Sequence, residues 1–239
     1  MENFSKKGKG KFKPTVDYTK LRFSNITGNE YRHLFFLLFW PLFMLVFYYL
    51  ENVYPVSYYY PIHCFLDDYI PFCEIFAVPY IFWFALVFIM HVYTLFYDVD
   101  GFKKMIKFII ITYSFALAFY FVFPNCQQLR PDNFERMNIF TRITQMIYAN
   151  DTNTNVCPSI HVSGSVAMIL AVINSKTIKS SAVKITVTVL SVLICLSTVF
   201  LKQHSVIDVL AALPVCYVAY RMYYVDDKKH IEKDESIDI

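Results

Sequence analysis

Glycine is scarce in this chain of 239 residues, with five, and proline is only twice as common, with ten. Such low contents exclude collagen-like, low-complexity and linker-rich proteins. Six cysteines are too few for a disulfide scaffold of this length. Charged residues make up 17%, against about 25% in a soluble domain. A net charge of +3 is too small to suggest a nucleic-acid binder, and none is expected as a partner. What fills the chain is apolar: 56% hydrophobic and 19% aromatic, led by 24 Phe and 19 Tyr. Those proportions leave an integral membrane protein.

Windows with at most one Asp, Glu, Lys or Arg place six short-looped spans, at residues 34–50, 75–97, 108–124, 160–175, 185–201 and 206–220. Aromatic ends such as Phe47, Tyr48 and Tyr49, or Tyr217, Tyr220, Tyr223 and Tyr224, suit the bilayer interface. The expected class is thus all-α, a polytopic bundle of six transmembrane helices over residues 34–225. A basic tail (1–33) and a charged tail (226–239) flank it. Lys and Arg number eight in residues 1–33, three in 98–107, three in 174–184 and four in 221–239. The alternate segments hold Arg130, Arg136, Arg142 and Lys202 alone. This positive-inside bias predicts cytoplasmic termini; the membrane expected is the plasma membrane, with an internal membrane as the alternative. In the long segment 125–159, Phe134, Met137, Phe140, Ile143 and Ile147 recur at helical spacing and predict a short helix on the outer leaflet.

In such a chain the informative residues are ionisable groups beside apolar spans, because burying them without a partner or a task is costly. Three groups qualify: Arg130-Pro131, Pro158-Ser159-Ile160-His161, and Lys202-Gln203-His204 with Asp208. The inferred topology sets all three at the outer face. His204 and Asp208 are one helical turn apart, so the carboxylate can hold the proton of one imidazole nitrogen and leave the other free to attack. His161 lies one helical hairpin upstream, and the two imidazoles can face each other. Ser159 suits the N-cap of the fourth span, where free amides bind phosphate. Arg130 can grip a phosphate with two nitrogens, and Lys202 adds a compact positive charge.

Taken singly, each has an ordinary structural reading: Asp208 as a helix N-terminal carboxylate, Ser159 as a plain cap, Arg130 as a snorkelling anchor, Lys202 as an interface charge. Together they supply a nucleophile, its orienting acid, a second His to protonate a leaving group, and two cations. That set fits phosphoryl transfer through a phosphohistidine, with no metal or other cofactor. A divalent metal held by the two His and the Asp is the rival reading, and Arg130 and Lys202 would repel it.

The three motifs, in this order across a six-span layout, resemble the type 2 phosphatidic acid phosphatase superfamily of membrane lipid phosphatases and phosphotransferases. Arg130-Pro131 matches the end of its first motif, Pro158-Ser159-Ile160-His161 its second, and His204 with Asp208 its third. The resemblance implies His204 as nucleophile, Asp208 as its orienting partner and His161 as the acid that protonates the leaving alkoxide. It implies Arg130 and Ser159 as phosphate ligands, and a lipid phosphate or diphosphate as substrate. Phe123 stands where the family commonly has Lys, Ser197-Thr198 where it often has Ser-Arg, and Ile160 where it has Gly. Of the two missing cations, Lys202 can replace one.

The text around residues 157–168 and 202–211 also resembles inositol phosphorylceramide and sphingomyelin synthases, which transfer phospho-head groups between lipids. The segment Asp67-Asp68-Tyr69-Ile70-Pro71-Phe72, with Pro79-Tyr80, resembles small bacterial members of the superfamily. Three functions follow: a lipid phosphatase, a head-group transferase using the same residues, or a non-catalytic lipid-binding or transport protein that kept the fold. The missing cations favour the last, and the whole His, His, Asp set opposes it. Elsewhere, His91 reads as a packed histidine and His63 as a lip over the site or a solvated loop residue. Cys126 and Cys157 read as a disulfide or as two free thiols.

Overall fold

In the computed structural model, which describes residues 14–225, the chain is helical almost throughout. Expectations for residues 1–13 and 226–239, parts of the two tails, lie outside the described residues. A 3-10 segment, Arg32–Leu38, runs directly into α1 (Phe39–Asn52). The single-turn α2 (Phe65–Tyr69) follows, then α3 (Ala77–Tyr97), α4 (Val99–Val122), α5 (Ile139–Asn150), α6 (Ile160–Asn174), α7 (Ser181–Phe200) and α8 (Val206–Tyr220). Two short strands, β1 (Tyr60–Pro61) and β2 (Asn125–Cys126), pair in parallel, Tyr60 opposite Asn125 and Pro61 opposite Cys126.

Five segments are long and apolar enough to cross a bilayer: Arg32–Asn52, Glu74–Tyr97, Val99–Val122, Ser181–Phe200 and Val206–Val225. They overlap five of the six hydropathy windows, with boundaries set by caps rather than by hydropathy. Asp98 accepts from the Gly101 amide (3.1 Å) at the start of α4, and Ser180 from the Val183 amide (3.4 Å) at the start of α7. Lys103, Lys104 and Lys107 therefore ride on the first turns of α4 instead of forming a connecting loop.

The remaining window is α6, whose 15 residues reach about 22 Å, short of a hydrocarbon core of about 30 Å. Most of its side chains, among them the run His161–Ser165 and Ala167, Met168, Ala171 and Val172, are buried. This helix faces protein, which is why a short element is tolerated here. Ser163, Gly164, Ser165, Ala167 and Ala171 are small and let the neighbouring helices close in on it. An added Cβ at Gly164 would come within 2.6 Å of the Tyr113 hydroxyl and 3.0 Å of the Trp83 indole nitrogen. Around α6 the core is built from Phe102, Phe108, Ile109, Tyr113, Met168 and Ile194, all fully buried. Outward-facing Leu45, Phe88, Ile185 and Leu210 stay exposed, an apolar surface suited to lipid.

At one end of the bundle α1, α4 and α7 finish and α3, α6 and α8 begin. The same end carries α2, the strands and α5. Helix α5 starts at Ile139, later than the apolar spacing from Phe134 predicts. Asn138 caps it by accepting from the amides of Phe140 (2.8 Å) and Thr141 (3.0 Å). Glu74, in turn, accepts from Asn138 (3.0 Å) and Arg136 (2.8 Å), which fastens α5 to the start of α3. All six cysteines are free thiols, Cys126 and Cys157 included.

Candidate active site

The turn from α7 into α8 carries His204. The amides of Gln203 (2.9 Å) and His204 (3.0 Å) both donate to the Thr198 carbonyl, with Lys202 in the left-handed region (φ 55°), a conformation that more often closes a helix with glycine. Ser205 caps α8, and Asp208 accepts the Ser205 amide (2.9 Å) in return. The same Asp208 oxygen lies 3.1 Å from His204 Nδ1. A carboxylate there requires the proton on Nδ1, which leaves a lone pair on Nε2. That nitrogen faces Ser159 Oγ at 3.3 Å and His161 Nδ1 at 3.4 Å. The Ser159 amide donates to the Asp208 carbonyl (3.1 Å), joining the second and third motifs through backbone. Ser159 and Asp208 are inaccessible, and His161 and His204 are each 5% exposed.

The two cations sit differently from one another. Arg130 stacks 4.4 Å over the Tyr148 ring and donates to the carbonyls of Tyr148 (3.2 Å) and Asp151 (2.6 Å). Burial lowers its pKa below the usual guanidinium range. Arg130 lines neither of the cavities described below, and its link to the histidines runs through Asp151, whose carbonyl it holds. Lys202 turns away. Its ammonium donates to the Asp67 carbonyl at 2.7 Å, under the segment between α1 and α3. Burial lowers the Lys202 pKa below 10.5 against the pull of Asp67 and Asp68. Lys202, expected to stand in for a missing phosphate cation, is thus held by the Asp67 carbonyl and lines neither of the cavities described below. The Asp67 carboxylate accepts from Ser205 Oγ (2.5 Å), the Val206 amide (2.8 Å) and the Cys64 amide (2.8 Å). Asp67 is thereby a cap on α8 supplied from a distant segment.

Several residues outside the three ordered motifs surround the site, Tyr80 among them from the stretch that resembles small bacterial members of the superfamily. Tyr80 donates to the Asp151 carboxylate, which lies 4.0 Å from His161 Nε2. The rings of Trp83 and Tyr80 flank His161 at 4.4 and 4.8 Å between centroids. Asn125 is fully buried; its side chain accepts from the amides of Val156 (2.9 Å) and Cys157 (2.8 Å) and donates to the Cys157 carbonyl (3.0 Å). Tyr120 donates to the Pro158 carbonyl at 2.7 Å. Glu51, at the end of α1, accepts from Thr152 (2.6 Å), Thr154 (2.6 Å) and Asn155 (2.5 Å). His63 pairs with Asp68 at 2.8 Å in an exposed position, and His91 accepts from Trp40 (3.3 Å) as a packed histidine.

Two cavities meet at His161. A small polar one of about 20 Å³, room for a single water, is lined by His204, His161, Asp151, Tyr80 and Tyr120. A large apolar one of about 970 Å³ runs from Asp151 and His161 down between α1 and α3 to His91 and Leu95. Tyr80, Ile160, His161 and Asp151 line both. Among the described residues no group of three His, Cys, Asp or Glu is placed to hold a metal ion. Comparison of the chain with protein-family models, with curated proteins and with solved structures finds no match. The chemistry this arrangement can perform is nucleophilic attack by a buried imidazole whose second nitrogen is fixed by a carboxylate, with another imidazole poised beside it.

Proposed function

We propose that the chain is a membrane lipid phosphatase of the type 2 phosphatidic acid phosphatase kind, hydrolysing a lipid phosphate or diphosphate through a phosphohistidine. The observation that carries this reading is His204, whose Nδ1 lies 3.1 Å from Asp208 and whose Nε2 lies 3.4 Å from His161 Nδ1. In this reading His204 Nε2 bonds to phosphorus while the ester P–O bond breaks, and His161 gives a proton to the departing oxygen. Water then attacks the phosphohistidine, and phosphate leaves. Ser159, the first amides of α6 and the Arg130 guanidinium bind the phosphate oxygens.

The apolar cavity opening from the same two histidines supports a lipid rather than a soluble phosphoester. Helix α6 counts as the sixth crossing, the histidine end faces outward, and both termini are cytoplasmic, in line with the Lys and Arg distribution. Purified protein should release phosphate from a lipid phosphate without added metal, and His204→Ala should reduce the rate by about 10³-fold or more. Full activity in that variant would refute the mechanism. A labelled phospholipid offered with a hydroxylated lipid tests for transfer: a labelled lipid product would make the protein a head-group transferase.

A further inference from the structure

We propose that Asp151 is a positioning residue for the acid-base histidine, its carboxylate holding Nε2–H of His161 so that Nδ1–H faces the phosphoester. This rests on the phosphatase reading above. Four groups stand in a line: Asp208, His204, His161 and Asp151, separated by 3.1, 3.4 and 4.0 Å. The first pair is a carboxylate fixing a histidine. The last pair repeats it in mirror order. His161 Nε2 is buried and has no hydrogen-bond partner among the described residues, so the nitrogen that turns toward Asp151 is otherwise unsatisfied.

Asp151 is itself held on two sides, its carboxylate by the Tyr80 hydroxyl and its carbonyl by Arg130 Nη2 at 2.6 Å. The groups facing His161 are Tyr80 from α3, His204 from the turn before α8 with Asp208 of α8 behind it, and Asp151 with Arg130 from the long segment 125–159; Tyr120 of α4 lines the same cavity. Asp151 is the carboxylate in that set which His204 does not already engage. A gap of 4.0 Å closes to a hydrogen bond when the imidazole is protonated, as catalytic contacts in unliganded sites commonly do.

During attack the proton on His161 Nδ1 passes to the leaving oxygen as the P–O bond breaks and the N–P bond forms, leaving His161 neutral. In the second half, water loses its proton to His161 Nδ1 as its oxygen bonds to phosphorus and the N–P bond breaks. Asp151 stays an anion throughout and favours the imidazolium at each end of the cycle.

The test compares wild type, Asp151→Asn, Asp151→Glu and Tyr80→Phe on an alkyl phosphate and on an aryl phosphate whose leaving group departs without a proton. With the alkyl phosphate, Asp151→Asn should lower kcat by about 10²-fold at little change in KM. The alkaline limb of its pH profile should move down by about one pH unit. The loss should shrink with the aryl phosphate, Asp151→Glu should restore most of the rate, and Tyr80→Phe should show the same pattern weakly. An equal loss on both substrates with an unshifted profile, or no loss at all, overturns the assignment. A wild type without turnover on either substrate, or a fully active His204→Ala, overturns the phosphatase reading instead and the Asp151 role with it.

Discussion

Asp67 is inaccessible, yet its carboxylate is surrounded by donors instead of a counter-ion alone. Burial pushes its pKa up, and the hydrogen bonds from Ser205, Val206 and Cys64 outweigh that, leaving it below the ordinary 3.8. A depressed folded-state pKa contributes stability that is present above 3.8 and lost as pH falls through the lower folded value. Thermal unfolding between pH 5 and pH 3 should therefore show wild type losing stability more steeply than Asp67→Asn, and parallel curves would count against this cap. His204, His161, Asp208, Ser159 and Arg130 were legible in the sequence because an ionisable or capping group beside an apolar span has few ordinary reasons to be there. Asp151 was not, since it lies in the run Asn150-Asp151-Thr152-Asn153-Thr154, which reads as any polar loop. Tyr80 stands in the stretch that resembles small bacterial members of the superfamily, but nothing in that stretch ties it to Asp151. Lys202 drew attention by its charge, whereas its actual partner, the Asp67 carbonyl, lies 135 positions away and leaves no local trace.

Among the elements, α6 does most to shape the site, because it brings Ser159 and His161 to the turn before α8. Its close packing depends on Gly164, where a methyl group would press on Tyr113 and Trp83. Gly164→Ala should cost about 1–3 kcal/mol in stability and displace Trp83 against His161, so that a melting curve and the turnover rate fall together. An unchanged melting temperature would show that the two rings have room to move. Hydropathy located this helix but not its central place, since a window of apolar residues looks alike whether lipid or protein surrounds it. The starts of α4, α5 and α7 were misplaced for a related reason: Asp98, Asn138 and Ser180 end the loops by capping, and capping is independent of hydropathy.

For the whole molecule, the proposed function would have the two cavities divide a lipid phosphoester between head and tail. Along α3 the apolar groove extends from Tyr80 to Leu95, about 22 Å at helical rise, further than one leaflet's share of the hydrocarbon core. In a homologous series of alkyl phosphates, kcat/KM should rise by roughly fourfold per added methylene, equivalent to about 0.8 kcal/mol, until the groove is filled. A flat series would place the tail elsewhere.

The contact between Glu51 and residues 152–155 bears on how such a site comes into being. Those partners are 101 to 104 positions apart, one at the end of the first span and the others in the loop that bears Asp151. During synthesis the first helix leaves the ribosome long before its partners exist. His204 and Asp208 follow later still. The cluster of Ser159, His161, His204 and Asp208 is thus complete only once the last helix has been made and packed against the earlier ones.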